Sequence, residues 1–485
     1  TELDGYRDHA EYENMLLKTK LRYEFDDNTA LTLVINAIDS PLANDPGGLN
    51  KVEAKQDRRQ AAPRNILYDA GEALKQQTLG LAFRKTLDSG NELMLRNYWV
   101  SRDFRNRLPF DVNSNGQGGS VNLQRDFAGL GGNYSWNHDW GDARNRLVIG
   151  FDYDAQRDHR RRFANDQGTL GAMTTNQDED VTTSGFYIQD SLQFKSGLRL
   201  TLGGRFDEVE YVVKDRTGAA SSGRRDFREF SPMAGINWSL ADSVNLYGNV
   251  STSFDPPATT ELANPDEPTG FNQALESQTA TNFEIGLKGL LTGRLRYEFV
   301  LFHIDVEDEI VPYELGGSGQ SFFENAGSST HKGVETSLVM QLLPGLTGTA
   351  TYTWSDFEFD DFLGSDGADY GGNRIPGVPG HLFNLDFDWA HGSGIFAGLD
   401  FSYVGSFYAN NANTVETDSY LVSNFRLGYR WEKGGWVFEP FAGVNNLLDE
   451  TYISNVRLNA SFGRYYEPAP ERNAYAGAML RYEFD

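Results

Sequence analysis

Short and long connections alternate along the whole chain, and this alternation restricts the possible folds more than any other feature. The short connections, rich in Asp, Asn, Gly and Ser, lie at 26–28, 88–90, 141–144, 195–197, 241–243, 291–293, 344–345, 391–394 and 432–435. The long connections lie at 41–73, 103–120, 157–180, 214–226, 254–277, 308–330, 357–380, 406–419 and 446–472. Tight polar connections are typical of β-hairpins, whereas several long loops within one compact soluble domain are rare. A transmembrane β-barrel has both, because short turns line one rim and long loops line the other.

The segments between these connections alternate apolar and polar residues. The pentad LRYEF near the end of the chain places Leu480, Tyr482 and Phe484 on one side, with an Arg and a Glu on the other, and it recurs at 21–25 and 295–299. Successive side chains of a strand point to opposite faces. Aromatic residues at strand ends are typical of a membrane interface. The pattern therefore predicts wall strands whose lipid-facing aromatics alternate with lumen-facing charges.

The composition agrees with a wall that separates lipid from water. Hydrophobic residues make up only 39% of the chain, aromatics reach 13%, and there is no apolar run long enough for a transmembrane helix. The chain has no Cys, which excludes a disulfide framework and a thiolate metal site. Its net charge of −26 argues against nucleic-acid binding, which uses Lys and Arg to neutralise phosphates. We predict an all-β fold: a transmembrane antiparallel β-barrel over 1–485, with short periplasmic turns and long extracellular loops.

Nine turns and nine loops join nineteen strands, which is an odd number. Bacterial outer-membrane barrels have even strand counts, since an odd count leaves the first and last strands parallel. Plugged transporters form the class with twenty-two strands. We therefore expect three further strands before Thr1.

A set of motifs in a fixed order resembles the barrel half of TonB-dependent outer-membrane receptors. The motifs are YGNVSTSFDPPATTELANP (247–265), ESQTATNFEIGLKG (276–289), FHIDVEDEIVPYE (302–314), FENAGSSTHKGVETSL (323–338), NRIPGVPGH (373–381) and FAGVNNLLDETY (441–452). The resemblance extends over essentially the whole chain and is strongest after residue 247. Family barrels usually end on an aromatic residue, whereas Phe484 is followed here by Asp485.

The resemblance implies active import across the outer membrane of a Gram-negative bacterium, and not an enzyme. It implies an N-terminal plug, absent from this chain, through which the TonB energy-transducing complex acts, and no resident cofactor. The implied ligand is a ferric siderophore or a ferric citrate-type chelate. Import of the cofactor pyrroloquinoline quinone is an alternative, since PPATTEL, NRIPGVPGH and GRYYEPAPERN (463–473) resemble both groups. A passive porin is an alternative of another class.

Arginines in three consecutive long connections are candidates for binding an anionic ligand. The guanidinium group offers a rigid fork of donors that matches carboxylates and phosphates. The cluster RDHRRRF at 157–163 is conspicuous in so acidic a chain. The selected residues are Arg58, Arg59, Arg105, Arg160, Arg161 and Arg162. The alternative is that these arginines bind lipopolysaccharide phosphates or face solvent.

Loop aromatics are a second set of candidates, because they can stack on a planar ligand. We select Phe254, Tyr313 and Tyr408, with packing between loops as the alternative. The acidic runs at 177–180 and 356–362 lack the spacing and the Gly of a Ca²⁺ loop, so we predict no metal site. The chain contains no recognisable nucleophile motif, HExxH, P-loop or dinucleotide-binding motif.

Overall fold

The computed structural model describes residues 1–114, 116–217, 222–241, 243–266, 271–314 and 320–484. The strands are β1 (Glu2–Leu3), β2 (Tyr12–Asp26), β3 (Thr29–Asn44), β4 (Gly71–Thr86), β5 (Glu92–Val112), β6 (Gly118–Trp140), β7 (Ala143–Asp166), β8 (Thr169–Phe194), β9 (Leu198–Asp215), β10 (Gly223–Ala241), β11 (Val244–Asp255), β12 (Gln278–Leu291), β13 (Leu295–Glu307), β14 (Ile310–Glu314), β15 (Ser321–Asn325), β16 (Ser328–Leu343), β17 (Leu346–Asp361), β18 (His381–Ala390), β19 (Ile395–Val404), β20 (Phe407–Tyr408), β21 (Glu416–Thr417), β22 (Tyr420–Tyr429), β23 (Trp431–Lys433), β24 (Trp436–Asn445), β25 (Ile453–Val456), β26 (Tyr466–Pro468) and β27 (Asn473–Tyr482). The helices are α1 (Lys51–Gln56), α2 (Pro63–Leu67) and a 3₁₀ turn (Ser461–Gly463). Neither described α-helix is long and apolar enough to cross a membrane.

One large antiparallel sheet forms the wall, and each long strand pairs with its neighbours along the chain. β22 and β23 both pair with β24 and are separated by one residue, so they form one interrupted wall strand. β1 is a two-residue addition to β2. On that basis the described residues contain nineteen long wall strands. The predicted all-β barrel fold is confirmed, and the short turns within the described residues lie where the sequence predicted them; the predicted turn 241–243 includes residue 242, which lies outside the described residues.

The two ends of the wall are not paired with each other in the part of the chain that the structure describes. There β2 pairs with β1 and β3, while β27 pairs only with β24. Both strands run from the long-loop rim towards the short-turn rim, so they are parallel. The three further strands expected between them stay a prediction.

The long connections are shorter than predicted on one side of the barrel. Residues 157–163, predicted to lie in a loop, belong to β7, which pairs with β8 as far as Asp166. The prediction was wrong because polar side chains occupy both faces of this part of the hairpin, and the apolar–polar alternation ends before the backbone pairing does. Cross-strand hydrogen bonding does not need an apolar face.

The lipid-facing band ends well below the tips of the long strands. On β7 it comprises Ile149, Phe151 and Tyr153, which are exposed, whereas Arg157 on the same face is charged. On β9 the change lies between Phe206 and Glu208. The upper parts of these strands therefore lie beyond the membrane on the long-loop side. Leu480, Tyr482 and Phe484 are also exposed, as the repeated pentad predicted.

The long-loop rim folds over the lumen. Three small hairpins, β14–β15, β20–β21 and β25–β26, lie outside the main sheet. The largest buried cluster joins wall residues to the loop that follows β11, and comprises Val209, Tyr211, Val213, Phe227, Leu262, Phe271 and Leu275. Aromatic contact area of this kind stabilises the loops without membrane burial. The mouth of the barrel is consequently narrowed by packed structure.

Candidate ligand-binding cavity

A row of paired residues crosses five strands on the lumenal face beyond the membrane. Gln76, Arg102, Arg125, Asp158 and Glu179 are successive partners on β4, β5, β6, β7 and β8. The Arg102 Nε donates to the Gln76 Oε1 at 2.7 Å. The Arg125 Nε and Nη2 donate to the two carboxylate oxygens of Asp158 at 2.8 and 2.6 Å. This bidentate geometry is the strong form of an arginine–carboxylate pair.

Arg160 lies one row closer to the rim and pairs with Glu179. The Arg160 Nε and Nη2 donate to the Glu179 carboxylate at 2.6 and 3.2 Å, and the Gln177 Nε2 donates to the same group at 2.7 Å. The side chains of Arg160 and Glu179 are 14% and 3% exposed. Burial alone would lower the pKa of Arg160, but the adjacent Glu179 carboxylate outweighs it and raises that pKa. Arg160 therefore stays charged beside Glu179.

Arg162 lies in the next row and is a buried cation. Its Nε donates to the Gly118 carbonyl oxygen at 2.9 Å, its Nη2 donates to the Gln320 Oε1 at 3.1 Å, and its Nη1 donates to the Gln117 Oε1. Among the described residues, no Asp or Glu oxygen lies within ion-pair distance of its guanidinium. Burial, followed by the charge of Arg160, lowers the pKa of Arg162 to about 9, so the group is still charged at neutral pH.

Arg160, Arg162 and Glu179 line a cavity of about 330 Å³ that lies against the lumenal wall, and the Arg102, Arg125 and Asp158 row lies next to it on the same face. Its apolar surface includes Phe104, Phe271 and Phe323, and its hydroxyl groups come from Thr175, Thr259 and Thr260. The charged groups on this part of the wall, here called the arginine cluster, are Arg102, Arg125, Asp158, Arg160, Arg162 and Glu179. Four guanidinium groups thus face two carboxylates, which leaves a local excess of positive charge in a chain of net charge −26. Such a site suits an anion with planar or apolar portions.

The structure separates the predicted arginines. Arg160 and Arg162 line the cavity, whereas Arg161 lies between them on β7 and points to the outer face of the wall. Arg105 also lies on the outer face; its side chain is 69% exposed, and its nearest carboxylate is Asp103 at 3.9 Å. The six arginines therefore do not form one site.

Arg58 and Arg59 lie in the connection between β3 and β4, away from the cavity. The Arg58 Nη2 donates to the Tyr452 carbonyl oxygen at 2.5 Å, which ties this connection to the one after β24. The Arg59 guanidinium lies over the ring of Tyr6, 5.3 Å from its centroid. These contacts describe structural roles, and ligand binding by either residue stays a prediction.

The predicted aromatic residues are likewise distributed among packed loops. Phe254 packs against the large buried cluster beside the cavity, rather than lining it. Tyr313, on β14, faces Phe322 with their ring centroids 6.3 Å apart, and burial raises its pKa. Tyr408, on β20, accepts a hydrogen bond from the Gly377 amide through its carbonyl oxygen at 2.8 Å. Stacking on a ligand by these three residues stays a prediction.

Sequence reasoning missed Arg125, Asp158 and Glu179, which complete the arginine cluster. The period-two pattern offered one usable signal: in a strand, Asp158, Arg160 and Arg162 share a face, whereas Arg161 does not. The partners on β6 and β8 depend on strand register, which the isolated sequence did not give. Among the described residues, no group of three or more His, Cys, Asp or Glu side chains is arranged to hold a metal ion.

Comparison with known proteins decides the family. Residues 7–447 match the family described as TonB dependent receptor-like, beta-barrel. The chain belongs to this family. The match confirms the resemblance found in the motifs and places the chain in the Gram-negative outer membrane. It also supports a receptor rather than an enzyme or a passive porin.

The chain is similar to several named receptors of this family. It is 26% identical over 305 residues to the ferrichrome outer membrane transporter/phage receptor of Escherichia coli K12, with 62% of this chain and 38% of the relative aligned. It is 26% identical over 333 residues to the catecholate siderophore receptor Fiu of Escherichia coli K12, with 62% and 42% aligned. Among solved structures, the unliganded ferric citrate transporter FecA gives a TM-score of 0.81 at 18% identity, over 98% of this chain and 71% of that one. The chain thus spans about two fifths of the length of the first two relatives, and the last likeness concerns the fold.

Proposed function

We propose that this chain is the barrel of a TonB-dependent importer of an anionic ferric chelate, either a siderophore or a ferric citrate-type complex. The observation that carries the proposal is the arginine cluster: four guanidinium groups against two carboxylates at a cavity inside the barrel, with Arg162 buried. Receptors of ferric chelates among the relatives support a ferric chelate as the ligand, and the arginines favour an anionic one. Electrostatic attraction into a narrow positive site raises both the association rate and the selectivity for anions.

In this proposal the ligand enters from the long-loop rim and is held at the cavity. Arg162 contacts an anionic group of the ligand, while the Arg160–Glu179 pair and the cavity hydroxyls orient the remainder. Phe104, Phe271 and Phe323 supply apolar contact. Transport is driven by TonB, which acts on a plug that precedes this barrel. Three further strands complete a barrel of twenty-two strands. Iron is cargo here, and the chain needs no cofactor of its own.

Pyrroloquinoline quinone remains the alternative ligand, because the same features of the cavity suit it. It is a planar polycarboxylate, so the guanidinium groups and the aromatic lining would both contact it. A direct comparison of the two ligand types therefore belongs in any binding experiment.

We also propose that the outer face contacts lipopolysaccharide phosphates through Arg105 and Arg161. These residues lie on either side of Asn122 in adjacent strands, above the lipid-facing band. Arg161 has a buried Nε without a hydrogen-bond partner among the described groups. A second cavity of about 340 Å³ beside Arg105 also contains the apolar residues Pro41, Leu42 and Leu170. An outer-leaflet lipid offers both phosphate and acyl chain to such a surface.

Ligand binding to the complete receptor in detergent tests the assignment of the cavity. The panel contains ferric citrate, ferrichrome, a ferric catecholate and pyrroloquinoline quinone, with binding followed by tryptophan fluorescence. We expect the double variant Arg160→Gln/Arg162→Gln to lose at least tenfold in affinity for the ligand that binds, because a charge-assisted contact is removed. The matched control Arg105→Gln/Arg161→Gln removes two arginines from the outer face and should leave affinity unchanged. Equal losses in both variants would contradict a cavity site.

A further inference from the structure

The amide groups around Arg162 occupy the positions that an anion would take. We propose that Gln117 and Gln320 are internal, displaceable ligands of Arg162, and that an anionic ligand replaces the Gln320 amide and loosens the start of β15 at the cavity wall. The inference rests on the proposed function for its biological context. Its physical basis is the geometry of four polar side chains.

These side chains form a hydrogen-bonded network at the edge of the cavity. The Gln117 Oε1 accepts from the Arg162 Nη1 and, at 2.7 Å, from the Gln320 Nε2. The Gln320 Oε1 accepts from the Arg162 Nη2 at 3.1 Å and from the Asn113 Nδ2 at 2.9 Å. Gln117 and Arg162 are 4% and 7% exposed. The guanidinium is thus desolvated and satisfied by neutral acceptors rather than by a carboxylate.

Neutral acceptors make the network exchangeable. A carboxylate brings a charge opposite to that of the guanidinium and fits the planar fork with two oxygens, so it binds Arg162 more strongly than the neutral amide oxygens do. Three of the five N–H groups of Arg162 donate to the acceptors described above. An incoming carboxylate would replace the two amide oxygens, while the Gly118 carbonyl, which is backbone, would remain on Nε.

Gln320 connects this exchange to a specific element. It immediately precedes β15, whose Ser321 pairs with Glu314 of β14. Other contacts hold the rest of the hairpin: the Asn459 Nδ2 donates to the Pro312 carbonyl oxygen at 3.0 Å, the Ser365 amide donates to the Glu324 carboxylate at 2.9 Å, and Phe323 packs against the large buried cluster. Loss of the Arg162–Gln320 bond would therefore loosen the cavity end of β15 while its far side stays attached.

The test uses iron-free citrate as the probe and the complete receptor in detergent. Hydrogen exchange of peptides covering residues 320–325 is measured by mass spectrometry with and without citrate, and citrate affinity is measured by calorimetry. In the wild type, citrate should increase exchange in these peptides severalfold.

Gln320→Ala should show the raised exchange without citrate and should bind citrate a few times more tightly, because an internal competitor is gone. Gln320→Glu should bind citrate at least tenfold more weakly, because its carboxylate would pair with Arg162.

Two controls keep the outcome interpretable. Gln193→Ala removes a similar amide acceptor, which receives the Arg199 Nε at 2.7 Å near the short-turn rim, and should change neither exchange nor affinity. Arg162→Gln should abolish the citrate response. Any one of three results would overturn the inference: unchanged hydrogen exchange on citrate addition, weaker citrate binding by Gln320→Ala, or no citrate binding by any variant. Transport is not measured, so absence of uptake would contradict the proposed function without altering this result.

Discussion

At the residue scale, the direction in which each side chain points decides its role. Arg160, Arg161 and Arg162 are consecutive and chemically identical, yet two line the lumenal cavity and one faces outwards. The sequence identified this run as a basic cluster in an acidic chain. It did not identify Glu179 as the partner of Arg160, or the amides that surround Arg162, because those contacts join residues that are distant in sequence.

Asp158 provides a stability test of the buried pairs. Its carboxylate is fully buried and accepts both donors of Arg125. Breaking such a pair leaves an uncompensated charge, so we expect Asp158→Asn to lower the free energy of unfolding by about 3–5 kcal/mol. Asp103→Asn, at the exposed pair with Arg105, should change it by less than about 1 kcal/mol. Denaturant unfolding in detergent, followed by tryptophan fluorescence, measures both; equal effects would refute a special role for the buried pair.

At the element scale, apolar–polar alternation located the wall strands but not their ends. The predicted turns, the nineteen long strands and the lipid-facing aromatics all follow from residues that must meet lipid on one face. Beyond the membrane that requirement ends, and β7 and β8 continue with polar side chains on both faces. The 157–180 connection was therefore predicted as a loop, although hydrogen bonding extends the hairpin through most of it.

The lipid-facing assignment predicts how the free-energy cost of an Arg substitution varies with the depth of the substituted residue in the membrane. Ile149 lies within the exposed apolar band of β7, so Ile149→Arg should destabilise the barrel by about 2–4 kcal/mol. His138 is an exposed outward-facing residue near the short turn that precedes β7, and His138→Arg should cost about 0–1 kcal/mol. Unfolding of the receptor from lipid vesicles measures the difference. A larger cost at residue 138 than at residue 149 would mean that the membrane band is misplaced.

At the scale of the whole molecule, the chain combines an acidic surface with a positive interior site. The net charge of −26 keeps the exposed rims solvated, while the arginine cluster gives the lumen an opposite local charge. The packing of loops over the mouth, including the β14–β15 hairpin beside the cavity, followed from no local sequence pattern. It depends on contacts between segments hundreds of residues apart, such as Asn113 with Gln320.

The central claim is energy-coupled import of an anionic ferric chelate, and whole-cell uptake tests it most directly. Cells carrying the complete gene, with and without a working TonB system, would receive labelled ferric citrate, several ferric siderophores and pyrroloquinoline quinone. We predict TonB-dependent uptake of one anionic ferric chelate, and its loss in the Arg160→Gln/Arg162→Gln variant. Uptake of many small solutes regardless of TonB would instead identify a passive channel and contradict the account.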